Sequence, residues 1–343
     1  MKANVGQKKT SFALVLLGLT AVLLAGIILS VCAGKYTVKP GESLRILLCS
    51  LLRRDSGAEQ MTVNVVMGLR VPRILASILV GASLSVSGAA YQGIFKNPLV
   101  SPDFLGVSSG ACIGAALAIL LSLTTPMISL FAFLGGIAAV ALTVMIPELL
   151  RSRANIMLVL SGIIVGSAMS SVLGFIKYIA DPDTQLASIT YWTMGSFSYI
   201  SLKELGIVLP VLLLPMAVLI LMSWWIDVLS MGEDEARALG ANVKRIRLIA
   251  IICSTLLTAG SVCIAGTISW IGLIVPHFGR MIVGSSNRRL IPAAGLLGGI
   301  FMLVVDTLTR TVGTTEMPVS ILTGLIGAPF FCWLLVRQQR RER

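Results

Sequence analysis

Eight apolar stretches of this chain contain no Asp, Glu, Lys or Arg: residues 11–34, 74–95, 104–147, 154–176, 205–226, 248–279, 290–305 and 317–336. A helix needs about 20 apolar residues to cross the hydrocarbon of a bilayer, so two of the stretches are long enough to hold a pair of helices. One breaks at Thr124-Thr125-Pro126, the other near Gly266-Thr267, with Gly272 and Pro276 beyond. Ten spans are predicted: 11–34, 74–95, 104–123, 127–149, 154–176, 205–226, 248–266, 270–283, 290–309 and 317–336. The fold class is all-α and polytopic, a single transmembrane domain over residues 1–343. The eighth span is the shortest and contains Arg280, so a broken helix is the alternative there.

Composition supports a lipid solvent. The chain is 56% hydrophobic and 12% charged, against roughly 25% charged in an ordinary soluble domain. The net charge of +12 would fit a nucleic-acid partner if it formed one stripe, but the basic residues sit between apolar runs, which excludes that reading. They mark topology instead. With the N-terminus inside, 17 of the 27 Lys and Arg residues fall on cytoplasmic segments, as the positive-inside bias requires. Seven of the other ten lie between Lys35 and Arg73, a long segment that is a weak topology signal. Lys2, Lys8 and Lys9 precede an apolar run of 24 residues, longer than the core of a cleaved signal peptide, so an uncleaved first span is expected.

The six cysteines form no C-x-x-C pair, and five lie in apolar runs; packing is expected of them, with no disulfide framework and no metal site. Glycines cluster at Gly135-Gly136, Gly162 and Gly166, and Gly295, Gly298 and Gly299. Small residues let membrane helices approach closely. The many Gly and Pro interruptions also predict broken or tilted helices around a central pathway.

Few ionisable groups lie inside the predicted spans, and such groups are costly there. Asp306 stands four residues before Arg310, the spacing of a helical ion pair, and a structural pair is favoured over a proton relay. His277, beside Pro276, is the single histidine and is read as helix-end packing. No G-x-x-x-x-G-K-[ST] loop is present, and Gly34-Lys35 is followed by Tyr36. A nucleotide cradle is therefore lacking, and the chain is predicted not to be an enzyme. The most informative polar segment is Gly232-Glu233-Asp234-Glu235-Ala236-Arg237-Ala238-Leu239-Gly240, within the loop 227–247. Acids at its start, Arg237 later and Gly240 as a stop predict a short amphipathic helix, fit either for docking or for a plain solvated connection.

Several segments resemble one family, the FecCD-type permeases of ABC importers for iron–siderophore complexes, haem and cobalamin. They are Leu69-Arg70-Val71-Pro72-Arg73, Val80 to Gly88, Gln92-Gly93-Ile94-Phe95-Lys96-Asn97-Pro98-Leu99, Leu105 to Ala111, and Ala236-Arg237-Ala238-Leu239-Gly240. Gly272-Leu273-Ile274-Val275-Pro276-His277, Asp306-Thr307-Leu308-Thr309-Arg310, Glu316-Met317-Pro318 and Gly327-Ala328-Pro329-Phe330-Phe331 follow in the family's order. The resemblance implies a multi-pass protein of the bacterial or archaeal cytoplasmic membrane. It implies a second permease copy, identical or closely related, two cytoplasmic ATPase subunits that hold ATP and Mg, and an extracytoplasmic substrate-binding protein. No cofactor is implied on this chain.

The resemblance also implies roles for individual residues. Gly232, Glu233, Glu235, Ala236, Arg237, Leu239 and Gly240 would pack in a cleft of the ATPase and carry its closure to the spans. Arg70, Arg73 and Arg310 match positions that face outward and pair with acids on the binding protein, where opposed charge would orient the partner; headgroup anchoring is the alternative. Asn97 and Leu99 match residues near the cytoplasmic gate, and Ser152 and Asn155 occupy the other gate region by position only. The expected function is import of a bulky metal chelate by alternating access, iron–siderophore first and haem or cobalamin otherwise. An ion-driven secondary transporter working as a single chain is the alternative, and only Asp306 could serve it.

Overall fold

The computed structural model describes residues 12–151, 155–313 and 315–342, and every regular element among them is helical. Helix α1 (Phe12–Cys32) is followed by α2 (Pro40–Leu51), then by a continuous rod, Gln60–Ile94. The rod comprises α3 (Gln60–Val63), a π-helical turn (Asn64–Arg70) and α4 (Val71–Ile94). A 3-10 turn (Pro102–Leu105) leads into α5 (Val107–Leu120), α6 (Thr125–Leu149), α7 (Asn155–Ile179), α8 (Gln185–Met194), α9 (Leu202–Leu221) and α10 (Ser223–Met231). The chain closes with α11 (Glu233–Ala238), α12 (Val243–Ala265), α13 (Ile271–Val283), α14 (Asn287–Thr311) and α15 (Val319–Glu342).

Seven of these are long and apolar enough to cross a membrane, and α5, α13 and the Val319–Trp333 part of α15 are shorter apolar helices. Each predicted span therefore contains a helix, with three differences at the ends. The second helix starts at Gln60 and not at residue 74, because a charge-free criterion stops at Arg73 although both arginines are helical and buried. Its π turn ends just before Pro72, which has no N–H to continue the regular ladder, and Val71 N bonds to Val66 O instead. The sixth predicted span runs past a bend at Met222, where α9 ends and α10 begins. Third, α13 has 13 residues, a rise of about 20 Å against the roughly 30 Å of hydrocarbon.

The stretch before α13 is irregular because Gly266 and Trp270 both adopt positive φ, +69° and +75°. Neighbouring segments are hydrogen-bonded to it: Ser196 N donates to Ala265 O at 2.9 Å, and the Thr267 hydroxyl donates to Thr193 O at 2.6 Å. Irregular backbone survives at membrane depth only where protein supplies such partners. On the far side of α13, His277 stands edge-on to Phe330 of α15.

Helix α4 is the centre of the bundle and is buried from Val80 to Ile94 almost without interruption, apart from Ala82. Its small residues make this possible. A Cβ on Gly81 would strike the Gly298 carbonyl of α14, and one on Gly88 the Gly272 carbonyl of α13. The same device joins α5 to α6, where Gly110 meets Gly135 and Gly114 meets the Phe131 carbonyl. With no water to expel between helices in lipid, this close backbone approach supplies the packing attraction.

Candidate functional site

Polar side chains gather at the two ends of this bundle. At one end, α1 finishes at Cys32 and its last carbonyls have no intrahelical donor. Arg70 Nη1 donates to Val31 O at 2.6 Å and Cys32 O at 3.4 Å, and its Nη2 donates to Tyr36 O. Arg310 Nη2 donates to both the carbonyl and the hydroxyl of Ser30 at 2.5 Å. Two guanidinium groups from other elements thus cap the negative end of the α1 dipole.

Arg73 lies beside them on α4. Its Nε donates to Asp306 Oδ1 at 2.7 Å, and its Nη1 donates to Glu316 Oε2 at 2.9 Å and Ser198 Oγ at 3.3 Å. The Ser198 hydroxyl also donates to Glu316. Asp306 is fully buried, and its second oxygen stands 3.7 Å from Arg310 Nε. The i,i+4 pair read from the sequence is therefore the looser of two contacts; the closer partner, Arg73, is 233 residues away. Burial would raise the Glu316 carboxyl, but the bonds from Ser198 and Arg73 outweigh it and hold the group below its ordinary value.

Arg70, Arg73 and Arg310 do share one end of the molecule. They do not, however, stand out from it: all three are under 9% exposed, with their head groups bonded within the chain. The docking role that the resemblance implies for them therefore starts from head groups already engaged within the chain. A buried cation is costly unless it is paired and hydrogen-bonded, and the orphan carbonyls and the buried carboxylate supply those partners. Ser198, Glu316 and Ser30 were given no role by the sequence; each is polar beside an arginine only through the fold.

At the opposite end, α11 projects as a short helix. Ala236 is fully buried beneath it, while Asp234, Arg237 and Leu239 are exposed. Arg237 pairs with Glu233 and Asp234, each at 3.3 Å. Arg247 Nη2 of α12 donates to Glu233 Oε1 at 2.5 Å, tying the helix to a long neighbour. That hydrogen bond, with the charges of Arg247, Arg237 and Lys96 and against some burial, holds the Glu233 carboxyl below its ordinary value. Gly232 is extended, with the Glu235 side chain folded over it. Gly240 sits at φ +81°, and Gly240 N and Ala241 N reach back to Arg237 O and Ala236 O, both at 2.9 Å. This glycine-terminated stop needs the left-handed conformation that a side chain resists.

One residue of this end was overlooked. Asp227, on α10, lies across the start of α14: Oδ1 accepts from Asn287 N at 2.5 Å, and Oδ2 accepts from Ser286 Oγ at 2.7 Å and Arg288 N at 3.2 Å. Its position at the end of a charge-free run, five residues before Gly232, was the available signal. Nearby, Asn97 Oδ1 accepts from Leu99 N at 2.9 Å in the turn after α4, and Leu99 is 38% exposed. Asn155 opens α7, and Ser152 lies outside the described residues.

The FecCD transport family model matches residues 22–337. The molybdate import system permease protein MolB of Haemophilus influenzae is 36% identical over 330 residues, 96% of this chain and 97% of that one. The hemin transport system permease protein HmuU of Yersinia pestis is 38% identical over 287 residues, 81% of this chain and 85% of the other. Among solved structures, an inward-facing conformation of a metal-chelate type ABC transporter superposes with a TM-score of 0.85 at 35% identity, covering 95% of this chain and 99% of that one. The chain is a multi-pass membrane protein and belongs to the FecCD transport family.

Proposed function

We propose that this ABC importer permease moves a bulky metal chelate across the cytoplasmic membrane by alternating access, with an iron–siderophore complex as first choice and haem or cobalamin as the other candidates. The arginine end faces outward and receives an extracytoplasmic binding protein. The loop end faces the cytoplasm with both termini. There α11 seats in a cleft of an ATPase subunit, two of which hold ATP and Mg against a dimer of permeases. Asn97, Leu99, Ser152 and Asn155 border the inner gate. The binding protein docks over this arginine end, at the edge marked by Glu316, whose side chain is 43% exposed.

The observation that carries this reading is the fate of Asp306. Asp306 is fully buried, and Arg73 and Arg310 hold it; the other enclosed carboxyl, Asp103, is engaged by the Ser108 hydroxyl. A proton- or cation-driven carrier would need such a group free to change its charge. The energy is therefore assigned to partner subunits, through differences in their affinity for the inward and outward states. The test is co-purification of the permease with its cognate ATPase and binding protein, followed by a thermal-shift panel of ferric siderophore, hemin, cobalamin and molybdate on that binding protein. Stabilisation by a ferric siderophore is expected. Stabilisation by molybdate alone would overturn the chelate assignment, and failure of the ATPase to co-purify would overturn the importer reading.

A further inference from the structure

We infer that Asp227 is the joint through which motion of the loop end is passed to α14, a positioning role that rests on the importer reading above. Helix α10 runs directly into Gly232 and α11, so a displacement of α11 moves the carboxylate of Asp227 with it. That carboxylate binds the N–H groups of Asn287 and Arg288 at the start of α14, which have no acceptor within their own helix. The next two are bonded locally, Arg289 N to Ser286 O at 3.0 Å and Leu290 N to Ser286 O at 2.9 Å. Ser286 stands at the N-cap but makes no side-chain cap to its own helix; its hydroxyl goes to Asp227 instead. The cap is thus supplied by another element, 60 residues away in sequence.

What α14 reaches gives the contact its consequence. The helix has 25 residues, a length of about 37 Å, and at its far end Asp306 and Arg310 hold Arg73 and the end of α1. Its middle is locked to α4 by the Gly81–Gly298 contact. The joint is also backed sterically: Ile226 is fully buried, and a Cβ on Gly93 of α4 would strike its side chain. Helix α14, clamped to α10 by three hydrogen bonds, couples the coupling-loop end to the arginine end.

An N-cap also stabilises a helix locally, so the test separates the two roles. Asp227→Ala removes the joint, and Asp227→Ala combined with Ser286→Asp returns a carboxylate to α14 from within its own helix. The permease–ATPase complex in lipid nanodiscs is trapped with MgATP and vanadate, and hydrogen exchange is followed in residues 232–240 and 303–313. In the wild type both segments are expected to change on trapping. In the double variant, melting as the wild type does, segment 232–240 should still respond while the response of 303–313 falls by about fivefold or more, the lower end of ordinary allosteric coupling. An undiminished response of 303–313 in the double variant overturns the joint and leaves the importer reading intact. A wild-type complex in which 232–240 does not respond at all overturns the importer reading, and the joint with it.

Discussion

Arg73 on α4 donates through Nε to Asp306 on α14 at 2.7 Å, with both side chains almost wholly withdrawn from solvent. Removing one member of a buried pair costs about 3–5 kcal/mol because the other is left as an uncompensated charge. Arg73→Met should therefore lower the melting temperature of the detergent-solubilised permease markedly. Adding Asp306→Leu should recover much of the loss, since an apolar pair of similar size removes the stranded carboxylate. A single Arg73→Met variant that melts as the wild type does would show that Arg310 alone satisfies Asp306.

Close helix approach makes a second expectation. Gly88→Ala places a methyl group against the Gly272 carbonyl of α13, and overpacking of this kind costs about 1–3 kcal/mol. Gly174→Ala, on α7 where nothing lies within 4 Å of the new atom, should be neutral. Equal melting temperatures for the two variants would mean that α4 and α13 do not pack as described.

Leu239 is 58% exposed at the tip of the loop end. Leu239→Asp should leave the melting of the isolated permease unchanged and weaken ATPase binding by about tenfold or more, as loss of an interface hot spot does. Pull-down titration with the ATPase reads this directly. An unchanged affinity would place the ATPase contact elsewhere.

The attachment of α11 should depend on acid. Glu233 is held below its ordinary value of 4.5 by Arg247, so its bond favours the attached helix above that pH and is lost as pH falls through the lowered value. A nitroxide on Leu239→Cys should keep constant mobility from neutral pH down to about the ordinary carboxylate value, then loosen. With Glu233→Gln the label should be loose throughout. Constant mobility down to full protonation would show that Glu233 does not hold the helix.

Each charge-free run holds an apolar helix of the fold, because long apolar runs leave the backbone little choice but a helix, and Gly240 announces the stop of α11 in the same local way. The failures were non-local. The second predicted span starts only after Arg70 and Arg73, yet the helix runs through both, since carbonyls of α1 and the carboxylate of Asp306 compensate them. The partners involved, Ser30, Ser198 and Glu316, meet only after folding. Asp227 is the same kind of case: its carboxylate looks like the start of a solvated loop until α14 is placed against it. Gate residues at 97, 99, 152 and 155 came from resemblance alone, and no local pattern could have supplied them.

The central claim is that transport energy enters from a partner ATPase and not from an ion gradient. Permease, ATPase and binding protein are reconstituted in proteoliposomes, and uptake of the binding protein's ligand is followed with MgATP supplied at the ATPase side, with and without ionophores that collapse proton and sodium gradients. Uptake that requires MgATP and is indifferent to the ionophores is predicted. Uptake that continues without nucleotide and stops when the ion gradients are collapsed would contradict the account.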